Sequence, residues 1–496
     1  MKNYILSVDQ STSATKAILF DKEGRLYNRS TVSHEQFYSQ PDWVEHDPEE
    51  IYRNTRKVIL DVMNDSGLKQ DDVAVLAITN QRETVVVWDK KTGKPVYNAI
   101  VWQCQRGADI CRKMREQGYE DMIRAKTGLI IDPYFSASGV KWILDHVAGA
   151  MDKAHAGDLL LGTIDSWLVW KLTGGNVHVT DYSNACRTML FNIHECCWDK
   201  DIADLLGIPL SMFPEVKFSD EVVGYTRPDE DFNLNIPVSG ILGDSHAALF
   251  GQNCFETGMG KATYGTGSSI MMNIGNKPLE CPKGLVTSIG WGAGRKIVYV
   301  FEGNIHCTGD TINWLVNDIG LITDAESSGE IAVSVPDNNG VYLVPAFVGL
   351  GAPYWDNEAR AVISGMPRST KKAHIIRAAL EAIAYQVRDL VDLMTEGSGI
   401  KLVELRVDGG PTRNTFLMQF QADMLNASIN RSDIAEVSAL GSAYMAGLAT
   451  GVWKNTEEIK ALRGKEKIFT GNMAEEQRNN LYNGWIKAVE KALYKK

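Results

Sequence analysis

The 496-residue chain contains no uninterrupted run of about 18 apolar residues, so the sequence predicts no membrane-spanning helix. It also lacks an excess of basic residues, since 51 Lys and Arg against 62 Asp and Glu give a net charge of −11. This charge argues against nucleic acid or an anionic membrane as a partner, because such surfaces bind a basic field. A small anionic ligand remains possible, because a few local donors can bind it whatever the overall charge.

Several familiar motifs are absent. The eight cysteines are scattered without a CxxC pair, as in cytosolic proteins with reduced thiols, although the adjacent Cys196 and Cys197 leave a redox role open. The sequence has no HExxH, no GxxxxGK[ST] and no GxGxxG after a strand, which disfavours a zinc hydrolase, a Walker-type NTPase and a Rossmann dehydrogenase. The first residues do not read as a signal peptide, and we expect a cytoplasmic protein.

The length and the distribution of strand-like and helix-like segments predict two α/β domains, 1–247 and 248–496, with a shared cleft. The first thirty residues read as a β-meander, and the segment 47–67 as a helix that starts at Asp-Pro and stops at Gly. The segment 73–89 reads as strand. Apolar residues at helical spacing over 374–394 predict the longest helix.

The segment "YILSVDQSTSATKAILFD" places an acid, several hydroxyls and a cation at the tip of a predicted hairpin. The hydroxyls of Thr12, Ser13 and Thr15 together with Lys16 could cradle phosphates, and Asp9 could hold Mg²⁺ through water. An ordinary Ser/Thr-rich turn is the alternative. At Ser11 we expect no positive φ, because a left-handed serine would cost about 1–2 kcal/mol.

Two further loops resemble this hairpin in composition. "YGTGSS" at 264–269 lies between extended runs, and "VDGGPTRN" at 407–414 brings glycines to a helix start, where anions bind favourably. Asp244 lies where an apolar strand gives way to a helix. It could cap that helix, or act as general base toward a hydroxyl that attacks a phosphoryl group.

A polar and aromatic group could bind an acceptor with neighbouring hydroxyls. Arg82 and Glu83 offer donors and acceptors side by side, and Trp102 and Tyr134 offer flat walls for C–H faces. A surface ion pair with two core aromatics is the alternative.

Long segments in order, among them "WVEHDPEEIY", "ITNQRETVVVWDKKTGKPVYNAIVWQC" and "NGVYLVPAFVGLGAPYWD", make the chain resemble the FGGY carbohydrate kinases over essentially its whole length. The resemblance implies two actin-like ATPase domains of ribonuclease H type flanking a catalytic cleft. It implies ATP and Mg²⁺ as cofactors and phosphorylation of a terminal hydroxyl of a small polyol. Glycerol is the first expected acceptor, and a longer polyol or a ketose is the alternative. A homodimer or homotetramer is also implied, and a non-catalytic nucleotide sensor of the same fold is the remote alternative.

The resemblance also assigns roles to individual positions. Asp244 would be the catalytic base and, with Asp9, serve the metal. The acceptor would contact Arg82, Glu83, Trp102, Tyr134, Asp244, Ser245 and Ser269. The nucleotide would contact Thr12, Ser13, Ala14, Lys16, Thr266, Gly309, Asn313, Gly410 and Asn414.

Four positions depart from the family pattern that the chain otherwise follows. Ser245 stands where a substrate-binding glutamine is expected, and Ser269 where an aromatic residue is expected. Asn313 replaces a glutamine near the nucleotide, and Gly139 replaces a lysine. Two hydroxymethyl groups in place of an amide and a ring predict a wider and more polar acceptor pocket. Packing alone discriminates against one extra carbon in the acceptor by only about 1–3 kcal/mol.

Overall fold

A computed structural model describes residues 3–432, 434, 436–464 and 466–493. The first half of the chain is built on a six-stranded sheet, with a four-stranded sheet beside it. The strands of the first half, of which β9 pairs with β12 and β10 with β11 outside these two sheets, are β1 (Tyr4–Gln10), β2 (Ala14–Asp21), β3 (Leu26–Ser33), β4 (Glu45–His46), β5 (Val73–Asn80), β6 (Val85–Asp89), β7 (Ala99–Ile100), β8 (Leu159–Thr163), β9 (Val179–Asp181), β10 (Phe191–Asn192), β11 (Cys197–Trp198), β12 (Glu215–Lys217), β13 (Gly224–Tyr225) and β14 (Pro237–Gly243).

Nine helices accompany these strands in the described part of the first half. They are α1 (Pro48–Ser66), α2 (Ala108–Glu116), α3 (Glu120–Thr127), α4 (Ser136–His146), α5 (Ala150–His155), α6 (Ile164–Leu172), α7 (Tyr182–Ala185), α8 (Lys200–Leu206) and α9 (Asp244–Gly251). The six-stranded sheet has the order β13-β14-β5-β1-β2-β3, and the four-stranded sheet has the order β4-β7-β6-β8.

The second half is built on a seven-stranded sheet of order β17-β18-β16-β15-β21-β22-β23. Its strands are β15 (Met259–Tyr264), β16 (Ser268–Gly275), β17 (Val286–Ala293), β18 (Lys296–Ile305), β19 (Tyr342–Val344), β20 (Val362–Ser364), β21 (Glu404–Asp408), β22 (Ser428–Ser432) and β23 (Glu466–Phe469). Its helices are α10 (Gly309–Asn313), α11 (Ser327–Val333), α12 (Lys372–Ser398), α13 (Thr415–Leu425), α14 (Val437–Thr450), α15 (Thr456–Ala461) and α16 (Glu475–Ala492).

The predicted helices are confirmed where sequence signals were strong. The Asp47 side chain caps α1 by accepting a hydrogen bond from the Glu49 amide, and α1 ends at Gly67 with φ 69°. Helix α12 contains the whole predicted segment 374–394 and buries its apolar stripe in the hydrophobic core of the second half. The opening meander is confirmed as the antiparallel strands β1, β2 and β3.

One prediction is wrong in a useful way. The segment 73–89, predicted as strand, is interrupted, because β5 ends at Asn80 and β6 starts at Val85. Between them Arg82 and Glu83 both adopt a positive φ, which ends the ladder and turns the chain.

The two halves meet through α14, which lies between β22 and β23 of the second sheet in sequence but packs on the first sheet. Residues of α14 share a buried cluster with β1, β5, β14 and α9. The predicted boundary at 247/248 falls inside α9 and stays a prediction. Among the described residues, no helix is long and apolar enough to cross a membrane.

Candidate active site

The opening hairpin brings its acid and its cation together. Antiparallel pairing of β1 with β2 sets Asp9 opposite Lys16, and the turn closes where the Ser11 amide and hydroxyl both donate to the Ala14 carbonyl, at 2.9 and 3.0 Å. Ser11 has no positive φ, as expected. Thr12, Ser13 and Ala14 form this turn, with Ser13 exposed.

Asp9 and Lys16 line a cavity of about 790 Å³ together with Asp408 and Gly410. Burial raises the pKa of Asp9 to about 7; Lys16 opposes that shift, whereas Asp244 and Glu436 add to it. A cation bound next to Asp9 would stabilise its ionised form, because the positive charge would offset the effect of burial, which favours the protonated carboxyl group.

Lys16 already has a partner in this cavity. Its ammonium lies 2.6 Å from Glu436 Oε2, and Arg29 lies 3.1 Å from the other carboxylate oxygen. Glu436 has a left-handed backbone, with φ 58°, directly before α14. The cation predicted to touch phosphate is therefore held by a carboxylate of the second half of the chain.

Five of the nine predicted nucleotide-binding positions line an adjoining cavity of about 610 Å³, whereas Lys16 lines the first cavity and Thr12, Ser13 and Ala14 line neither. The five are Thr266, Gly309, Asn313, Gly410 and Asn414. The backbone needs glycine here, because a Cβ on Gly309 would lie 2.6 Å from the Gly265 carbonyl oxygen. Gly410 lines both cavities, which together have room for a nucleoside triphosphate.

The predicted acceptor residues Arg82 and Glu83 lie in a strained turn. Their φ values are 55° and 36°, in a region where non-glycine residues cost about 1–3 kcal/mol each. The Ser136 hydroxyl donates to the Glu83 carbonyl at 2.6 Å and helps to hold this conformation. Such strain is retained mainly where the position of the side chains serves a function.

Four buried charges form a network at this turn. Arg82 pairs with Glu302 at 3.1 Å, Arg187 with Glu83 at 2.7 Å, and Arg187 with Glu302 at 2.8 Å. Burial alone would raise the pKa of Glu302, but Arg187 and Arg82 lower it to about 2. Removing one member would leave an unbalanced buried charge, which is strongly destabilising, so all four side chains are held in place. Arg82 and Glu83 are therefore not the exposed ion pair considered as their alternative.

Trp102 and Tyr134, the predicted aromatic walls of the acceptor site, lie beside the opening hairpin. Trp102 and Tyr134 meet edge to face at 5.6 Å, and the Trp102 indole N–H donates to the Thr12 hydroxyl at 3.0 Å. Burial raises the pKa of Tyr134. One wall of the proposed acceptor site is thus hydrogen-bonded to the turn proposed to bind phosphates.

Asp244 is the first residue of α9 and is not its N-cap, which is Gly243. Its Oδ1 accepts from the Ser245 amide at 2.6 Å and lies 3.2 Å from Arg82 Nε. In the described part of the chain no hydrogen bond or ion pair reaches Oδ2, and the side chain is 35% exposed. Asp244 therefore has an oriented carboxylate with one oxygen open to the cleft.

Three of the four departures from the family pattern are accessible, Asn313 in the cavity of about 610 Å³, and one is not. Ser245 and Ser269 are partly exposed, whereas Gly139 is buried in α4. A Cβ on Gly139 would lie 3.2 Å from Val85, so this position has little room for a longer side chain.

Five polar residues near the site were not predicted from the sequence: Arg187, Lys261, Glu302, Asn304 and Glu436. For Lys261 and Glu302 a signal existed, since each is a charge in the interior of a strand of mostly apolar or small residues, "MGKATY" and "KIVYVFEGNI". A charge in such a run must find a partner when it is buried. Glu436 and Arg187 gave no such signal.

Comparison with known proteins agrees with this geometry. Residues 4–251 match the N-terminal domain, and residues 260–450 the C-terminal domain, of the FGGY family of carbohydrate kinases. Proteins named glycerol kinase from Caldanaerobacter subterraneus subsp. tengcongensis and Bacillus subtilis are 53% and 51% identical to this chain over 493 residues. Each match covers 99% of this chain and 99% of the relative.

A solved structure is similar over the same length. The crystal structure of Plasmodium falciparum glycerol kinase with ADP has a TM-score of 0.95 and 37% sequence identity, covering 100% of this chain and 99% of that chain. The two-domain α/β architecture described above is the fold of that structure.

Proposed function

We propose that this chain, which belongs to the FGGY family of carbohydrate kinases, transfers the γ-phosphoryl group of ATP to a terminal hydroxyl of glycerol. The products would be glycerol 3-phosphate and ADP. The observation that carries the proposal is Asp244: its Oδ1 accepts from the Ser245 amide and lies 3.2 Å from Arg82 Nε, and its partly exposed side chain has no hydrogen bond or ion pair at Oδ2 within the described residues.

The chemistry follows from this placement. The acceptor hydroxyl oxygen would form a bond to the γ-phosphorus while the bond from that phosphorus to the β,γ-bridging oxygen breaks. The hydroxyl proton would pass to Asp244 Oδ2, and ADP would leave with the electron pair of the broken bond. In a loose transition state of this kind, positioning and charge neutralisation contribute most of the rate.

Arg82 would have two tasks. Its guanidinium forms an ion pair with Asp244, with Nε 3.2 Å from Oδ1, and its Nη1 donates to Glu302 of the second half. Because Glu302 is fully buried, the guanidinium has a fixed orientation. The base is therefore oriented by both halves of the chain at once, and Glu83 would accept hydrogen bonds from the glycerol hydroxyls.

The residues present also fit Mg²⁺. Within the described ranges no group of three or more His, Cys, Asp or Glu side chains could hold a metal ion by itself. Mg²⁺ usually takes one or two carboxylates together with substrate phosphates and water. Asp9 and Asp244 would supply those carboxylates, and the ion would neutralise the developing charge on the phosphates.

A coupled assay of ADP release tests the proposal. Glycerol should stimulate ADP release from ATP, and Asp244→Asn should lower kcat about 10²- to 10⁴-fold because the proton acceptor is lost. ADP affinity should stay within threefold. Asp204→Asn, which removes an exposed carboxylate of α8, serves as the matched control. Wild-type turnover by Asp244→Asn would remove Asp244 from this role, and ATP binding without glycerol-stimulated ADP release would favour a non-catalytic sensor.

A further inference from the structure

A row of polar side chains crosses the seven-stranded sheet. The strand register sets Asp408 of β21 beside Thr263 of β15, Thr263 beside Ser269 of β16, and Ser269 beside Asn304 of β18. Neighbouring strands are about 4.8 Å apart, so these four positions span about 14 Å. We call them the polar row.

The polar row faces the first half of the chain. Side chains two residues apart on a strand share a face, so Asn304 points to the same side as Glu302. Glu302 contacts Arg82, and Arg82 contacts Asp244. The row therefore lies on the cleft side of its sheet, opposite the proposed base.

The two ends of the polar row have different surroundings. Asp408 and Thr263 line the cavity that also contains Asp9 and Lys16, where phosphates are expected. Ser269 lies one strand beyond Thr263, and Asn304 lies two strands beyond it. The row thus leads away from the phosphates on the side of the sheet where Glu302 meets Arg82.

Lys261 determines that the Ser269 hydroxyl acts as the acceptor in the hydrogen bond between them. Its ammonium, only 1% exposed, donates to Thr263 Oγ1 at 3.2 Å and to Ser269 Oγ at 3.4 Å, and no described carboxylate lies within 4.0 Å of it. An ammonium can only donate, so the Ser269 oxygen accepts and keeps its own hydrogen for another partner. Ser269 is partly exposed to the cleft, which leaves that hydrogen available to a ligand.

Two further polar side chains are accessible to a ligand. The Asn304 side chain is exposed, and the Ser245 hydroxyl follows directly after Asp244. Neither side chain makes a hydrogen bond within the residues that the structure describes. Together with Ser269 they offer donors and acceptors beyond those that a three-carbon acceptor at Arg82 and Glu83 would use.

We propose that Ser269 and Asn304, with Ser245, form an extension of the acceptor site that binds the additional hydroxyl groups of a linear polyol with four or five carbons. The inference rests on the proposed kinase function and names its substrate class. The attacked terminal hydroxyl lies at Asp244, and the remainder of the carbon chain follows the polar row toward Asn304. A site built to hydrogen-bond a hydroxyl discriminates against an acceptor that lacks it more strongly than an apolar pocket discriminates by size.

The test compares kcat/KM for glycerol, erythritol, threitol, ribitol, xylitol and arabitol in a coupled ADP-release assay. In the wild-type protein, kcat/KM for the best longer polyol should be at least one tenth of kcat/KM for glycerol. Ser269→Phe and Asn304→Leu should each lower the ratio of these two values at least tenfold. Ser428→Ala, which removes a partly buried serine from β22 of the same sheet, should leave the ratio unchanged.

A binding measurement separates the site from catalysis. With ADP present, the best longer polyol should raise the Tm of the wild-type protein but not that of Asn304→Leu. If Ser269→Phe does not fold, Ser269→Ala takes its place with the same expected direction. A more than tenfold wild-type preference for glycerol, or an unchanged ratio in both variants, would overturn the extension site and leave the glycerol kinase proposal intact. ADP release stimulated by no polyol at all would overturn the proposed function itself.

Discussion

Replacing Glu436 by glutamine should strengthen nucleotide binding. In the structure the Lys16 ammonium lies 2.6 Å from Glu436 Oε2, inside the cavity where phosphates are expected. A phosphate oxygen that takes this ammonium must compete with the carboxylate. Glu436→Gln keeps the shape of the side chain and removes the negative charge, so that Lys16 becomes free for the nucleotide.

The size of the effect follows from exposure. Exposed ion pairs contribute about 0.2–1 kcal/mol and hydrogen bonds to charged groups about 1.5–3 kcal/mol. The Lys16 side chain is 28% exposed and that of Glu436 is 12% exposed, which places this pair between the two classes. A gain of about 1–2 kcal/mol corresponds to an ADP Kd that is about 5- to 30-fold lower.

Calorimetric titration with ADP, ATP and adenosine measures this directly. The gain should appear for ADP and ATP and be absent for adenosine, which has no phosphate, and it should shrink at high ionic strength. Glu256→Gln breaks a 2.8 Å ion pair with Lys460 and is the matched control. Weaker ADP binding by Glu436→Gln would refute the competition and show that Glu436 instead positions Lys16 for the phosphate.

Two further predictions concern coupling and pH. Trp102→Phe keeps the ring but removes the N–H that donates to Thr12, so the KM values for glycerol and ATP should both rise about 2- to 10-fold in steady-state assays; a change in only one of them would contradict the link. Burial raises the pKa of Asp389 to about 7, although Tyr482 and Trp485 donate hydrogen bonds to it. The folded protein therefore binds more protons than the unfolded chain between about pH 4 and 7. Because of this, its stability falls as the pH rises through that range. In denaturant unfolding, Asp389→Asn should therefore lose part of this slope, and its stability relative to wild type should improve by about 2–3 kcal/mol from pH 5 to pH 8; parallel pH profiles would contradict the assignment.

The sequence predicted those parts of the fold that local signals determine. Helix α1 has its Asp-Pro start and Gly stop, helix α12 has its apolar stripe, and the opening hairpin has two apolar runs around a polar turn. The family and the two-domain α/β fold predicted from the long matching segments are confirmed. Local periodicity and long matching segments can both be recognised in the sequence alone, because neither depends on which distant residues come into contact in the folded protein.

The sequence did not predict the electrostatic surroundings of the site. Arg82 reads as part of a strand, yet it lies in a left-handed turn whose strain is held by Glu302, 220 positions away. Lys16 was predicted to bind phosphate, and nothing near it in sequence indicates Glu436, 420 positions away. Partners of this kind are set by how two sheets face each other, which no periodicity within either one encodes.

Two of the ion pairs that join the halves of the chain differ in burial, and this gives them different roles. Arg82 with Glu302 is almost fully excluded from water, so separating the two would disrupt a buried network of four charges and is strongly opposed. Lys16 with Glu436 is partly exposed and lies in the phosphate cavity, where a phosphate can replace the carboxylate at little loss. The acceptor side of the cleft is therefore fixed before any ligand arrives, while the contact on the phosphate side can be exchanged. A nucleotide that takes Lys16 from Glu436 leaves that carboxylate with Arg29, and the proposed base at Asp244 keeps its orientation throughout.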